Sequence, residues 1–313
     1  MKIIDLKNET EYKLLPEDAI SCAIGNFDGV HLGHRALITL AAEKQNGCTK
    51  SAVWTFSEPS SRMLGGVSLL TDTAERAEIF RSLGMDLLFL ADFEEMRSLS
   101  PEVFAEDILY RQCQVRQIIC GFNFRYGKMA AGNAETLKRS FDRLGGKTTI
   151  IPPFCLNGAV VSSSEIREAL SVGNMKRAKA MLARPYSLTA EIVHGKQLGR
   201  TLGFPTANQG FPKGRAVPKY GVYAVRISID GISYEGVANV GVRPTVEHTL
   251  RANCETYVFD FSGDLYGKTA TTEFLAFLRP EQHFADVNAL TDAVSGDKEA
   301  AKRYFKAEKE RIL

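Results

Sequence analysis

Between Ala183 and Tyr186 the hydrophobic period of this 313-residue chain changes, and that change limits its fold more than any other feature. Ahead of it, apolar runs at Ala19–Ile24, Ser51–Phe56, Leu87–Leu90, Arg116–Cys120 and Thr148–Ile151 read as strands separated by helical segments. Asp72 with Glu75 forms a capping box for a helix to Leu83, and Ser100-Pro101 opens another in the N-cap and N1 positions. A helix from Asn174 to Leu182 must stop before Pro185, whose ring forbids continuation. Strands alternating with helices pair in parallel through right-handed crossovers, which gives a doubly wound sheet with ligands at the carboxyl ends of its strands. Beyond Pro185 the pattern is strand after strand: Ser187–Val193, Tyr220–Ile229, Ser233–Val240, Cys254–Phe261 and Thr271–Leu278. Asp230-Gly231 between two of them is a hairpin signal. The expected fold is therefore α/β: an N-terminal doubly wound parallel-sheet domain over residues 1–184, then an antiparallel β-barrel domain over 185–313 with terminal helices from about Phe284.

Composition excludes several classes. With 44% hydrophobic and 24% charged residues the chain is an ordinary globular protein, and its length suits two domains. A net charge of +2 with scattered Lys and Arg makes no demand for nucleic acid. The charged segment Lys298–Arg311 interleaves Ala, Tyr and Phe, as a solvated amphipathic helix does. Six cysteines without a CxxC pair suggest neither a zinc ribbon nor a disulfide framework, and free thiols imply a reducing compartment. Met1–Glu11 lacks an apolar core and no stretch has the length of a membrane span, so a cytoplasmic protein with no membrane partner is expected. The oligomeric state is left open.

The first chemical centre is Gly25-Asn26-Phe27-Asp28-Gly29-Val30-His31-Leu32-Gly33-His34, set between the first of those strands and a helix from Arg35 to Lys44. Such a turn binds phosphate: glycines admit close backbone approach, and the free N–H groups and positive dipole end of the helix favour an anion. His31 and His34 add donors one turn apart if the helix has begun by then. A Gly-rich turn with two surface histidines is the plainer alternative, and a metal site would need ligands beyond two histidines.

Two further loops lie at strand ends. Gly121-Phe122-Asn123-Phe124-Arg125-Tyr126-Gly127 combines aromatic faces, an amide and a guanidinium fit for an aromatic ligand, unless Phe122 and Phe124 simply pack inward as core. Val161-Ser162-Ser163-Ser164-Glu165-Ile166-Arg167 enters a helix, where successive hydroxyls cap the helix or bind phosphate and Arg167 reaches the same anion. In the second domain, His194 to Asn208 holds three glycines and two cations without the Gly-Lys-Ser/Thr ending of a P-loop. Thr206 and Asn208, two residues apart in an extended segment, face the same way, as hard oxygen ligands of one magnesium ion would. A plain Gly-rich hairpin has the same composition.

These motifs carry a resemblance. GNFDGVHLGH is similar to the signature of HxGH nucleotidyltransferases and, in its full form, resembles the FAD synthetase half of the bacterial bifunctional riboflavin kinase/FAD synthetase family. The Ser162–Arg167 segment resembles that family's ISSTxIR motif with Ser164 in place of threonine. GRTLGFPTAN, followed by GVYAV, GVANVGVRPT, the Glu255 strand, DLYGK and FLRPEQHF, is similar to the riboflavin kinase domain in order and nearly over its length. The resemblance implies phosphorylation of riboflavin by ATP to FMN in the second domain. It further implies adenylylation of FMN by ATP to FAD in the first, with release of pyrophosphate.

By that resemblance Glu255 is the base of the kinase, Thr206 and Asn208 hold Mg2+, and Gly195, Lys196 and Gly199 line the ATP phosphates. In the first domain His31 and His34 stabilise charge developing toward pyrophosphate, with Gly25, Asn26, Phe27, Gly33, Asn123, Ser163, Ser164 and Arg167 completing the nucleotide site. ATP is a co-substrate, and no tightly bound prosthetic group is expected. The chain departs from the family at Thr55-Phe56-Ser57-Glu58-Pro59-Ser60, where a TFxPHP-like segment would carry a histidine. That departure motivates a second reading, a kinase with a weak or altered adenylyltransferase half; a third is a flavin-binding regulator without turnover.

Overall fold

The computed structural model describes residues 1–8, 14, 17–44, 46–58, 66–194, 206–244, 250–282, 284 and 286–311, in two compact units, 1–163 and 164–313.

The first unit is built on six parallel strands: β1 (Lys2–Asp5), β2 (Ile20–Ile24), β3 (Lys50–Phe56), β4 (Leu87–Ala91), β5 (Val115–Gly121) and β8 (Lys147–Ile151), in the order β1-β4-β3-β2-β5-β8. Two short hairpins, β6 (Arg125–Tyr126) with β7 (Gly132–Asn133) and β9 (Cys155–Leu156) with β10 (Ala159–Val160), follow β5 and β8. The order reverses at β2, so the crevice for a ligand opens at its carboxyl end, where the Gly25–His34 turn lies. Helices α1 (Leu32–Ala42), α2 (Thr73–Ser82) and α3 (Ala134–Arg143) belong to this unit, and α2 begins at the expected Asp72/Glu75 capping box. Strand β1 was not expected: charges mask a four-residue edge strand whose only apolar pair is Ile3-Ile4. The helix opened by Ser100 and Pro101 keeps α geometry only to Val103 and is π-helical over Phe104–Gln112. Two hydrophobic clusters flank the sheet, one around Trp54, Phe89, Phe104 and Phe141, the other around Phe27, Ile38 and Phe80.

The second unit contains α4, whose helical run is Ser163–Ser171, and α5 (Met175–Leu182), then β11 (Tyr186–Glu191), β12 (Thr206–Gly210), β13 (Gly221–Ile229), β14 (Ile232–Pro244), β15 (Leu250–Val258) and β16 (Thr269–Pro280). The strands pair antiparallel in the order β11-β16-β13-β14-β15-β12, and a bridge between Val193 and Asn208 joins the two edges into a barrel. Buried Gln209 secures this closure, donating to Ala190 O (2.9 Å) and Ala270 O (2.7 Å) and accepting from Thr272 Oγ1 at 2.6 Å. The hairpin at Asp230-Gly231 has both residues left-handed, φ 50° and 80°, as a two-residue loop between twisted strands requires. Within the second unit α5 packs on β16 and β11.

Among the described residues the expected terminal helices are one helix, α6 (Val287–Glu310). Its Ala301 and Phe305 pack with Val222, Ala224, Val237, Phe259 and Leu275 of the barrel. Asp297 is held by Arg279 of β16 in a two-pronged ion pair (2.7 and 2.6 Å). Since Phe305 is almost fully enclosed, Phe305→Ala should cost about 3–5 kcal/mol. Calorimetry reads this as a lowered transition of the C-terminal unit, and an unchanged transition would contradict the packing.

Candidate functional site

At the carboxyl end of β2 the backbone turns sharply, and two buried non-glycine residues, Phe27 (φ 50°) and Val30 (φ 41°), take left-handed conformations. Strain of this kind persists only where surrounding contacts over-determine it. Asp28, buried, accepts from the backbone N–H groups of Leu70 (2.8 Å) and Thr71 (3.2 Å), while Gly29 N donates to Thr71 Oγ1 at 2.8 Å. Behind the turn Arg76 of α2, about 1% exposed, donates to Asn26 O (3.0 Å), Thr55 Oγ1 (3.1 Å), Phe56 O (3.0 Å), Ser57 O (2.9 Å) and Thr73 Oγ1 (3.0 Å). Burial lowers its pKa to about 10, against the opposing pull of Asp28 and Asp72, so it stays charged at neutral pH.

His31 is the N-cap of α1, and its Nδ1 accepts from His34 N at 3.3 Å. The two imidazoles stack, centroids 3.6 Å apart and planes 15° apart, and Phe27 meets His34 edge-on at 5.2 Å. Gly33 leaves room for this stack: a Cβ there would lie 3.2 Å from His31 Cε1 and 3.4 Å from Phe154 Cβ, close enough that the neighbours would have to give way. Desolvation pushes the His34 pKa well below its ordinary 6.5, and the charges of His31 and Arg76 push the same way. Its Nδ1 is buried without a hydrogen-bond partner among the described residues.

Of the expected nucleotide residues, Gly25 donates its N–H to Trp54 O (3.2 Å) and Asn26 offers its carbonyl to Arg76 and Thr55. The Phe27 ring is fully enclosed, so only its backbone can serve an anion. Ser163 Oγ donates to Asp28 O at 2.9 Å, which ties the last residue of the first unit to the first turn. Ser164, exposed, and Arg167, half-buried, follow on α4 but fall in the second unit. Asn123 is exposed after β5, and Phe122, 52% exposed, is not the core residue that its strand-end position allowed. Phe124 does pack inward, stacked on Tyr126 at 5.6 Å. In the histidine-free segment, Thr55 and Ser57 are taken up by Arg76, and residues 59–60 lie outside the described ones.

In the second unit the register aligns Asn208 of β12 with Glu255 of β15, and Glu255 with Asn239 of β14. Thr206 Oγ1 donates to Glu255 Oε1 at 2.7 Å, Asn208 Nδ2 lies 3.4 Å from Thr206 Oγ1, and Asn253 Nδ2 donates to Asn208 Oδ1 at 3.2 Å. The exposed carboxylate of Glu255 thus faces a hydroxyl and amides, a set of hard oxygen donors suited to one or two protein contacts on magnesium. His194 stacks on Tyr266 at 3.8 Å just before the glycine loop; Gly195, Lys196 and Gly199 lie outside the described residues. No group of three or more His, Cys, Asp or Glu side chains suited to a metal occurs among the described residues. All six cysteines are free, and no described helix is long and apolar enough to cross a membrane.

Sequence reasoning missed Asp28, Arg76, Asn239 and Asn253. Asp28 lies inside the first motif with no signal that sets it apart from its neighbours, and the two asparagines become visible only through strand register. Arg76, on the helix after β3, left no local signal at all.

Comparison with known proteins covers both halves of the chain. Residues 16–165 match the FAD synthetase family model and residues 182–305 the riboflavin kinase model. The Bacillus subtilis bifunctional riboflavin kinase/FMN adenylyltransferase is 35% identical over 292 residues, covering 90% of this chain and 92% of that protein. Its Pseudomonas fluorescens counterpart is 36% identical over 283 residues, 89% and 91% of the two chains. A solved Streptococcus pneumoniae structure described as a macrolide-efflux protein superposes with TM-score 0.83 at 32% identity, covering 96% of this chain and 98% of that one.

Two measurements check this geometry. Arg76→Met should destabilise the N-terminal unit by on the order of 3–5 kcal/mol by stranding buried acceptors, read by denaturant unfolding of Trp54 fluorescence; a loss under about 1 kcal/mol would remove Arg76 from its role. For His34, the unfolded chain takes up a proton below about pH 6.5 that the folded unit refuses, so stability present above that pH is lost as pH falls toward the folded value. Thermal unfolding of the wild type should therefore drop more steeply between about pH 7 and about pH 5 than that of His34→Asn, and parallel curves would refute the depressed pKa.

Proposed function

The chain belongs to the bifunctional riboflavin kinase/FMN adenylyltransferase family, and from that membership we propose that it phosphorylates riboflavin to FMN and adenylylates FMN to FAD, using ATP in both steps. The observation that carries the reading is the junction of Glu255 with Thr206 and Asn208 across two barrel strands, because a flavin binder without turnover has no use for it. Adenylyl transfer is assigned to residues 1–184 and phosphorylation to 185–313. The setting is the cytoplasm, which six free cysteines favour, and the near-neutral charge argues against a nucleic-acid partner.

In the kinase the ribityl 5′-oxygen bonds to the γ-phosphorus of ATP as the bridge to ADP breaks, and its proton passes to Glu255. Thr206 and Asn208 would hold the magnesium ion that neutralises phosphate charge, and Gly195, Lys196 and Gly199 the phosphates themselves. In the first domain a phosphate oxygen of FMN attacks the α-phosphorus and pyrophosphate leaves, with no proton to remove. Catalysis there is alignment and charge stabilisation. His31 and His34, stacked and fixed by the α1 cap, would face the leaving pyrophosphate, with Asn26, Asn123, Ser163, Ser164 and Arg167 around the nucleotide.

Incubation with riboflavin, ATP and magnesium should give FMN first and FAD from it. Glu255→Gln should lower kcat for FMN formation by about 10²–10⁴ while FAD formation from supplied FMN is unchanged. FMN accumulating without FAD, even when FMN is supplied, would leave a kinase joined to an altered nucleotidyltransferase, as the segment Thr55–Ser60 would then explain. An unchanged rate in Glu255→Gln would remove the base.

A further inference from the structure

A second carboxylate stands on the face that carries Glu255. Strand β16 ends at Pro280, and the next residue, Glu281, reaches over β14: a Cβ on Gly241 would lie 2.1 Å from Glu281 Oε1, 3.1 Å from its Cδ and 3.4 Å from Asn239 Nδ2. Side chains at 239 and 241 point to one side of β14, and the register pairs them with Glu255 and Asn253, the latter in turn hydrogen-bonded to Asn208. The space that a side chain at 241 would fill is therefore occupied by the Glu281 carboxylate, on the same surface as Glu255, Asn208, Asn239 and Asn253.

The approach is built in. β16 reaches β14 across β13, and Gly221 of β13 lets it pass, since a Cβ there would stand 2.3 Å from Arg279 O and 3.0 Å from Pro280 Cα. Arg279 fixes the strand end, its NH1 donating to Pro280 O (3.0 Å) while its other nitrogens hold Asp297 of α6. Glu281 is thus presented by an anchored strand end and two missing side chains.

Resting on the kinase reading above, we propose that Glu281, with the amides of Asn239 and Asn253, reads the secondary hydroxyls of the ribityl chain, leaving Glu255 for the 5′-hydroxyl. A polyol needs acceptors for several hydroxyls along its length, and one carboxylate cannot both take the reacting proton and hold the others. An ionised carboxylate accepts hydroxyl hydrogen bonds more strongly than an amide oxygen does, and it stays acceptor-only at neutral pH. The residue determines specificity rather than reactivity: it selects a hydroxylated side chain over an alkyl chain ending in the same primary alcohol.

The test compares riboflavin with a flavin bearing a 5-hydroxypentyl chain, which keeps the primary alcohol and lacks the secondary hydroxyls. Wild-type enzyme should favour riboflavin in kcat/KM. Glu281→Ala should lower kcat/KM for riboflavin about 10- to 100-fold, mostly through KM, leave the pentyl analogue within about twofold, and so erase the preference. Glu281→Gln should recover part of the loss, and Gly241→Ala, whose methyl takes the carboxylate's place, should reproduce it. A cooperative calorimetric transition of the C-terminal unit, retained as in the wild type, reports that each variant is folded. An undiminished preference in Glu281→Ala, equal losses on both flavins, or a raised magnesium requirement in place of lost discrimination would each overturn the proposal. Absence of FMN formation by the wild type would overturn the kinase reading itself.

Discussion

A single buried guanidinium holds the first centre together. Arg76 gathers the carbonyls of Asn26, Phe56 and Ser57 and the hydroxyls of Thr55 and Thr73, tying the ends of β2 and β3 to the start of α2. Without those bonds the turn after β2 would have to hold Phe27 and Val30 in left-handed conformations by packing alone. Asp28 completes the clamp from the other side through Leu70 and Thr71. The stacked histidines are held in turn, because His31 caps α1 only if the turn delivers it with an extended backbone. The buried charge has a second effect, since it joins desolvation in keeping His34 neutral.

The second centre is organised by register instead of by a buried charge. Antiparallel pairing places Asn208, Glu255 and Asn239 abreast on three strands, and the hydrogen bonds among Thr206, Asn208, Asn253 and Glu255 follow from that alignment. A one-residue slip in β15 would turn Glu255 to the opposite face. Gln209 of the edge strand β12, bonded to Ala190 O of the other edge strand β11 and to Ala270 O and Thr272 of β16, guards against such a slip at β12.

Much of this was legible in the sequence, for identifiable reasons. The parallel sheet, the capping box of α2 and the hairpin at Asp230-Gly231 depend on local patterns a few residues long, and the strand–turn–helix at Gly25–His34 declared itself by composition. What escaped depends on contacts distant in sequence. Arg76 acts on residues 50 and 20 positions away, and nothing in its neighbourhood distinguishes it from a surface arginine on a polar helix. β1 escaped because a short edge strand needs few apolar residues, and the terminal helices expected from about Phe284 are the single helix α6. Phe122 and Phe124 look alike in sequence, yet one is exposed and the other stacks on Tyr126.

Ser163 closes the first unit and at the same time opens a helix whose remaining turns belong to the second. Its hydroxyl is bonded to Asp28, yet Ser164 and Arg167 are carried by the segment that leads to the barrel; Leu170 of the same helix already accepts from Lys219 N. The Ser162–Arg167 motif therefore runs across the covalent boundary between the two units. A gene cut at the geometric boundary would yield a compact α/β body missing two of its proposed phosphate contacts.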